Sequence, residues 1–258
     1  MSLLAADDPG PVIVQNPGAG SPHLLVCDHA GRAIPRRLGD LGLPASAFEL
    51  HIAWDIGALA LAQGVAQRMG ASLVHQAYSR LVIDCNRAPG HAQSIATLSD
   101  GVPIPGNQGL TPREIAARQR EIHQPYHRAI AAELDARVAR GALPMLSCIH
   151  SFTPQMQGFA RPWHVGVLHL EGSMVSDRLL ALLRVEEGLV VGDNEPYAMD
   201  GQDYTAPTHA VARGLDVLEI EVRQDLLTDA GWRERLTELF ARLIPAAWEA
   251  APPAAFVR

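Results

Sequence analysis

The chain has 258 residues, of which 48% are apolar, and a formal net charge of -7, so it is long enough to bury one large α/β core. The acidic balance excludes a protein built to neutralise nucleic-acid phosphates. No apolar run approaches the roughly 18 to 20 residues of a membrane-spanning helix, and no secretory signal is legible near Met1. Three cysteines, an odd number in a chain this long, do not read as a disulfide framework, so a reducing cytoplasm is the expected location. The composition sets no oligomeric state.

Residues 1–20 read as a loose leader with an edge strand near Val12-Ile13-Val14. Leu24-Leu25-Val26-Cys27 has no polar alternation, the mark of a strand covered on both faces, and it runs directly into Asp28-His29-Ala30-Gly31. Pro35 opens a site-lining loop or short helix. From Ala45 to Met69 apolar residues recur at spacings of three and four, which predicts helices with one buried face. In a continuous helix His51 and Asp55 would share a face.

Ser72 to Gln76 and Leu81 to Asp84 read as strands, the second leading into Asn86-Arg87. Residues 88–110 are too rich in glycine and proline for a regular element and predict a long collar or lid. Thr111-Pro112-Arg113-Glu114 supplies an N-cap, a proline at the first helical position and a capping-box acid. That helix should run to about Arg140 with a bend near Pro125.

Met145 to Ile149 is a further apolar strand with His150 behind it. A strand over His164 to Leu170, a helix capped by Ser173, and a weak strand near Leu189 to Val191 come next. Asp193 to Pro207 is a polar loop, and Thr208 to Arg213 a helical turn. Val217 to Arg223 alternates with period two, placing Glu219, Glu221 and Arg223 on one face. A last helix covers about Asp229 to Ala250, with 251–258 as a frayed tail. The expected fold is therefore α/β: a single domain over 1–258, with a mixed, largely parallel sheet and helices on both faces.

In open α/β sheets ligands gather beyond the carboxyl ends of the strands. His29, Asn86-Arg87 and His150 would meet there if their strands are neighbours. Two histidines and one carboxylate form a common catalytic zinc set, and by residue type Asp28, Asp55 and Asp84 each qualify as the acid. His123, His127 and His209 follow no pattern that separates them from ordinary helix-face histidines. Cys27, Cys85 and Cys148 read as small buried thiols.

Several blocks together resemble one family: His29-Ala30-Gly31 with Ile34-Pro35, Trp54-Asp55, the run from Tyr78-Ser79-Arg80 through Asp84-Cys85-Asn86-Arg87, His150-Ser151-Phe152-Thr153-Pro154, and Glu219-Ile220-Glu221-Val222-Arg223. This is similar to the N-formylglutamate amidohydrolases, over most of residues 23–228. The chain departs from the better-known members in reading Asp28-His29-Ala30-Gly31 where they typically have Pro-His-Ser-Gly, and Cys85 where they often have leucine.

The resemblance implies a fold like that of zinc carboxypeptidases and aspartoacylases. It also implies a zinc-dependent amidohydrolase that hydrolyses N-formyl-L-glutamate or a related small-molecule N-acyl amino acid to the free amino acid and a small carboxylic acid; the charge and hydropathy above leave neither nucleic acid nor membrane as an expected partner. It suggests His29, Asp55 and His150 as metal ligands, with His51 as a replacement for Asp55. Glu221 would be the general base, with Glu219 as its fallback, unless Glu221 merely pairs with Arg223. Arg80, Asn86 and Arg87 would bind substrate, a guanidinium fork being suited to a carboxylate; the alternative for either arginine is a structural pairing with Asp84. A carboxypeptidase- or deacylase-like hydrolase on another small amide, and a non-catalytic binding protein, are the alternative functions.

Overall fold

A computed structural model describes residues 2–199 and 201–249, and the expected tail at 251–258 lies outside them. The core is a seven-stranded mixed sheet. Its strands are β1 (Val12–Gln15), β2 (His23–Cys27), β3 (Ser72–Gln76), β4 (Met145–Phe152), β5 (Val165–Leu168), β6 (Val191–Asp193) and β7 (Val217–Arg223). They lie side by side in the order β1-β3-β2-β4-β7-β5-β6. The pairings β3–β2, β2–β4, β4–β7 and β5–β6 are parallel, while β1 on β3 and β5 on β7 run antiparallel.

Both faces of the sheet are covered, as the unbroken apolar runs of β2 and β4 require. One face takes Leu25, Leu73, Ile149, Leu218 and Ile220 against α1 (Ala58–Met69), α4 (Met174–Arg184) and α7 (Ala230–Glu249). The other takes Leu24, Val26, Leu146 and Cys148 against α3 (Gln124–Ala139) and α5 (Thr205–His209). Each leucine fully buried in these layers contributes about 1.5 to 3 kcal/mol relative to exposure. Thr111 caps α2 (Pro112–Arg118) with the expected box, its side chain accepting from the Glu114 amide while Glu114 accepts from the Thr111 amide. A π-turn over Gln119–His123 then makes the bend ahead of Pro125. The last helical stretch is divided into α6 (Gln224–Thr228) and α7.

The structure corrects four local expectations. The helix over 45–69 is broken: a 3-10 segment, Ala45–Glu49, and an irregular stretch precede α1. Gly57, in left-handed conformation at φ 82°, starts α1, and a Cβ there would lie 2.4 Å from Leu227 Cβ. Asp55 is therefore a loop residue and shares no helix face with His51.

Leu81 to Asp84 is a buried run of turns and not a strand. Its carbonyls are satisfied by side chains in place of a ladder, Asn107 Nδ2 donating to Leu81 O at 2.8 Å and the buried Arg118 guanidinium to Val82 O at 2.8 Å. Third, β4 continues to Phe152, so His150 lies within the strand. Finally, the opening residues are held in place: the Leu3 and Leu4 amides donate to Glu121, and Tyr78 donates its hydroxyl to Pro9 O at 2.6 Å.

Candidate active site

The site lies at the carboxyl ends of the central parallel strands β2, β4 and β7. His29 follows β2, and His150 sits opposite Glu221 in the β4–β7 register. Asp55 reaches them from the loop before α1, where its amide donates to His29 O at 2.9 Å. That loop is tied in turn to the 79–80 segment by Ser79 Oγ donating to Ala53 O at 2.7 Å. Gly31 allows the chain to pass so close to Ala77 that any Cβ would fall 2.0 Å from the Ala77 carbonyl oxygen. The glycine after the histidine is thus required by a close backbone approach.

His29, Asp55 and His150 are all buried, and one donor atom from each lies within 4.8 Å of the others. Asp55 Oδ2 is 3.3 Å from His29 Nδ1 and 2.9 Å from His150 Nδ1. The opposite nitrogen of each ring also meets an acid, His29 Nε2 lying 2.7 Å from Asp84 Oδ1 and His150 Nε2 3.2 Å from Asp28 Oδ2. Metal-ligating histidines are characteristically oriented by a carboxylate at their far nitrogen. The group can bind a metal: two imidazole nitrogens and one carboxylate oxygen are a donor set suited to zinc that leaves a position open.

Electrostatics agree with a site made for positive charge. Burial alone would raise the Asp55 carboxyl, but His29 and His150 hold it well below the usual range. Burial likewise opposes charge on His150, yet Asp28 and Asp55 raise it well above an ordinary histidine. A bound cation would displace these protons, since the ligand rings must be neutral.

The group opens into a cavity of about 430 Å³. Glu219 and Glu221 line it, each buried and each with an Oε2 that has no hydrogen-bond partner among the described residues. Burial pushes both up to about 8. Glu221 is not neutralised by Arg223, whose guanidinium is spent on Asp225 at 2.8 and 3.2 Å. Ser99 and Asp100 from the long 88–110 loop form part of the wall, and His51, on the same cavity, faces Asp100 at 3.4 Å and is not one of the three donors that come together.

Arg80, Asn86 and Arg87 all reach the cavity. Arg80 is committed to the acids of this buried group, its guanidinium lying 2.6 Å from Asp84 Oδ2 and 3.4 Å from Asp55 Oδ1. Asn86 uses its amide to hold the loop ahead of α5, accepting from the Tyr204 and Thr205 amides and donating to Asp203. Arg87 donates to Asn86 O at 2.9 Å and lies 3.2 Å from Asp203 Oδ1.

Sequence reasoning missed three contributions. Asp28 and Asp84, which orient the two rings, were legible only as possible ligands. Tyr197 lines the cavity with the Arg161 guanidinium 4.9 Å from its ring centre; both come from irregular segments without a motif. His123, His127 and His209 form a buried cluster behind the Asn86 segment. Burial lowers His127 to about 3, so its ring is neutral. Its Nε2 must carry the proton to donate to Cys85 O at 2.9 Å, and Nδ1 then accepts from His209 Nε2–H at 2.8 Å. His123 Nε2 similarly donates to Arg87 O at 3.0 Å. These histidines are the mount of the Cys85–Arg87 turn, and nothing in their sequence pattern set them apart from ordinary helix-face histidines.

The family model of N-formylglutamate amidohydrolase matches residues 21–228. The chain belongs to this family. Among solved structures, a gene product of Agrobacterium tumefaciens is 35% identical, with a TM-score of 0.92 over 96% of this chain and 98% of that one. The N-formylglutamate amidohydrolase from Ralstonia eutropha is 22% identical, with a TM-score of 0.74 over 94% of this chain and 100% of that one. No curated protein matches the chain significantly. The family membership places all the residues of the candidate site inside the matched region.

Proposed function

We propose that this N-formylglutamate amidohydrolase family member is a zinc-dependent enzyme that hydrolyses N-formyl-L-glutamate or a related N-acyl amino acid to the free amino acid and a small carboxylic acid. The observation that carries the reading is the buried His29, Asp55, His150 group, with both far ring nitrogens held by acids, facing a cavity that contains Glu221. Zinc held by these three residues supplies a Lewis acid for the amide carbonyl and lowers the pKa of the attacking water.

Glu221 then has a defined task. It is buried, close enough to the ligand cluster to share the sheet register with His150, and basic for a carboxylate. It takes the proton from the attacking water and returns it to the leaving amine, the two halves of general base and general acid work. Arg87 is the anchor for the substrate carboxylate, with Asn86 fixing the turn on which it stands. Arg80 balances Asp55 and Asp84 and keeps their carboxylates aimed at the cluster. The three free, buried cysteines support a reducing, cytoplasmic location.

A hydrolysis screen of N-formyl and N-acetyl amino acids on zinc-loaded protein tests the reading. Formate release confirms the formyl-hydrolase form, and another acid assigns a different acyl group. Tight binding without turnover would identify a binding protein instead.

A further inference from the structure

Thr205, fully buried at the start of α5, holds on to both halves of the site. Its amide donates to Asn86 Oδ1 at 2.9 Å, on the turn that carries Arg87, and its hydroxyl donates to Asp28 Oδ1 at 2.7 Å. The far end of α5 rests on the same turn, since His209 reaches it through His127, whose Nε2 donates to Cys85 O. The helix is therefore seated on the substrate side, and through the Thr205 hydroxyl it also reaches the metal side.

Asp28 depends on that hydroxyl. Its other oxygen, Oδ2, lies 3.2 Å from His150 Nε2, but neither of these atoms has an aligned hydrogen-bond partner among the described residues. The direction of the carboxylate behind the His150 ring is thus set from Oδ1. Without the hydroxyl a buried acceptor would be left unsatisfied, which is costly, and the carboxylate would be free to turn away from the ring.

Resting on the zinc-amidohydrolase reading, we infer that Thr205 is a positioning residue that locks the metal-binding group in register with the substrate-anchoring turn. It does not line the cavity, so it acts through its neighbours: the hydroxyl sets Asp28 and through it His150, while the amide takes its own place from Asn86. A disturbance of the turn is then felt at the metal by way of one side chain.

Zinc affinity, read by chelator competition, tests this without turnover. Thr205→Val keeps the size and the amide but loses the hydroxyl, and should weaken zinc binding by about three- to tenfold, less than the loss of the supporting acid itself. Thr205→Ser restores the donor and should return the affinity to within about twofold of wild type. In an Asp28→Asn background the valine should add less than about twofold, because groups that act as one unit are not additive. Asn86→Ala should also weaken zinc binding, by about threefold, and add nothing to Thr205→Val. Unchanged affinity in Thr205→Val or in Asn86→Ala, no rescue by serine, or effects that multiply in either double variant overturns the inference. If the valine variant does not fold, hydrogen exchange in the wild type decides: zinc should slow exchange of the Tyr204 and Thr205 amides, and equal exchange with and without the metal is the overturning result. Wild-type protein that holds no zinc overturns the metal reading and this inference with it, whereas wild-type binding with an insensitive Thr205→Val overturns the inference alone.

Discussion

His29 Nε2 lies 2.7 Å from Asp84 Oδ1, so the ring that offers Nδ1 to the metal-binding group has its other nitrogen fixed by a second buried acid. His150 Nε2 likewise faces a buried acid, 3.2 Å from Asp28 Oδ2, as a charge contact without hydrogen-bond alignment, and Asp28 is itself held by the Thr205 hydroxyl at 2.7 Å. Each candidate ligand ring is thus oriented from behind, and α5 reaches the ligand cluster through Thr205.

Zinc binding should report this directly. His29→Ala and His150→Ala should abolish stoichiometric binding in equilibrium dialysis. Asp28→Asn and Asp84→Asn should weaken it by about 10- to 100-fold, the usual cost of losing a ligand's supporting carboxylate. Full affinity in His29→Ala would remove the assignment of the metal-binding group.

Glu221→Gln preserves size and hydrogen-bonding capacity but not basicity. Turnover should fall by about a hundredfold or more with zinc content and KM nearly intact. Near wild-type turnover in this variant would rule Glu221 out as the base.

Arg87→Lys keeps the charge and loses the fork. The substrate KM should rise by the equivalent of about 1.5 to 3 kcal/mol, with zinc content unchanged. An unaltered KM would transfer the anchoring role to another group.

Protonation of His127 supplies a test of the buried cluster. Burial lowers it to about 3 in the fold, against about 6.5 in the unfolded chain. Its contribution to stability is therefore present above pH 6.5 and lost as the pH falls towards 3. His150, Glu219 and Glu221 are raised instead and act with the opposite sign, so the informative quantity is a difference. Chemical denaturation of the zinc-free protein at several values between pH 6.5 and 5 should show the slope for wild type exceeding that for His127→Gln by up to about 1.4 kcal/mol per pH unit, one proton's worth. Equal slopes would mean that His127 is charged or solvated in the fold.

The central sheet was legible because β2 and β4 are largely unbroken apolar runs and β7 alternates with period two, and the Thr111–Glu114 box marked the start of α2 from residue types alone. The candidate ligand residues stood out through position, a histidine behind β2 and another near the end of β4. The Leu81–Asp84 run was misread for a physical reason: it is as buried as a strand, but its backbone partners are the side chains of Asn107 and Arg118, more than twenty residues away. Nothing local distinguishes the two cases. The histidine mount was hidden similarly, since His127 and His209 are 82 residues apart and meet only when α3 and α5 cover the sheet. Asp55 does come together with His29 and His150, although the helix assumed around it does not exist.

The strand order has a bearing on how the chain is made. β7, the last strand in sequence, fills the middle of the sheet between β4 and β5. Until residues 217–223 leave the ribosome, the sheet exists as two unconnected parts, and β4, eight residues long and buried throughout in the finished protein, is an open edge. Such an edge is a template for pairing with another chain. A chain that has not yet delivered β7 therefore leaves the inner edges of both β4 and β5 open to pairing with another copy of itself.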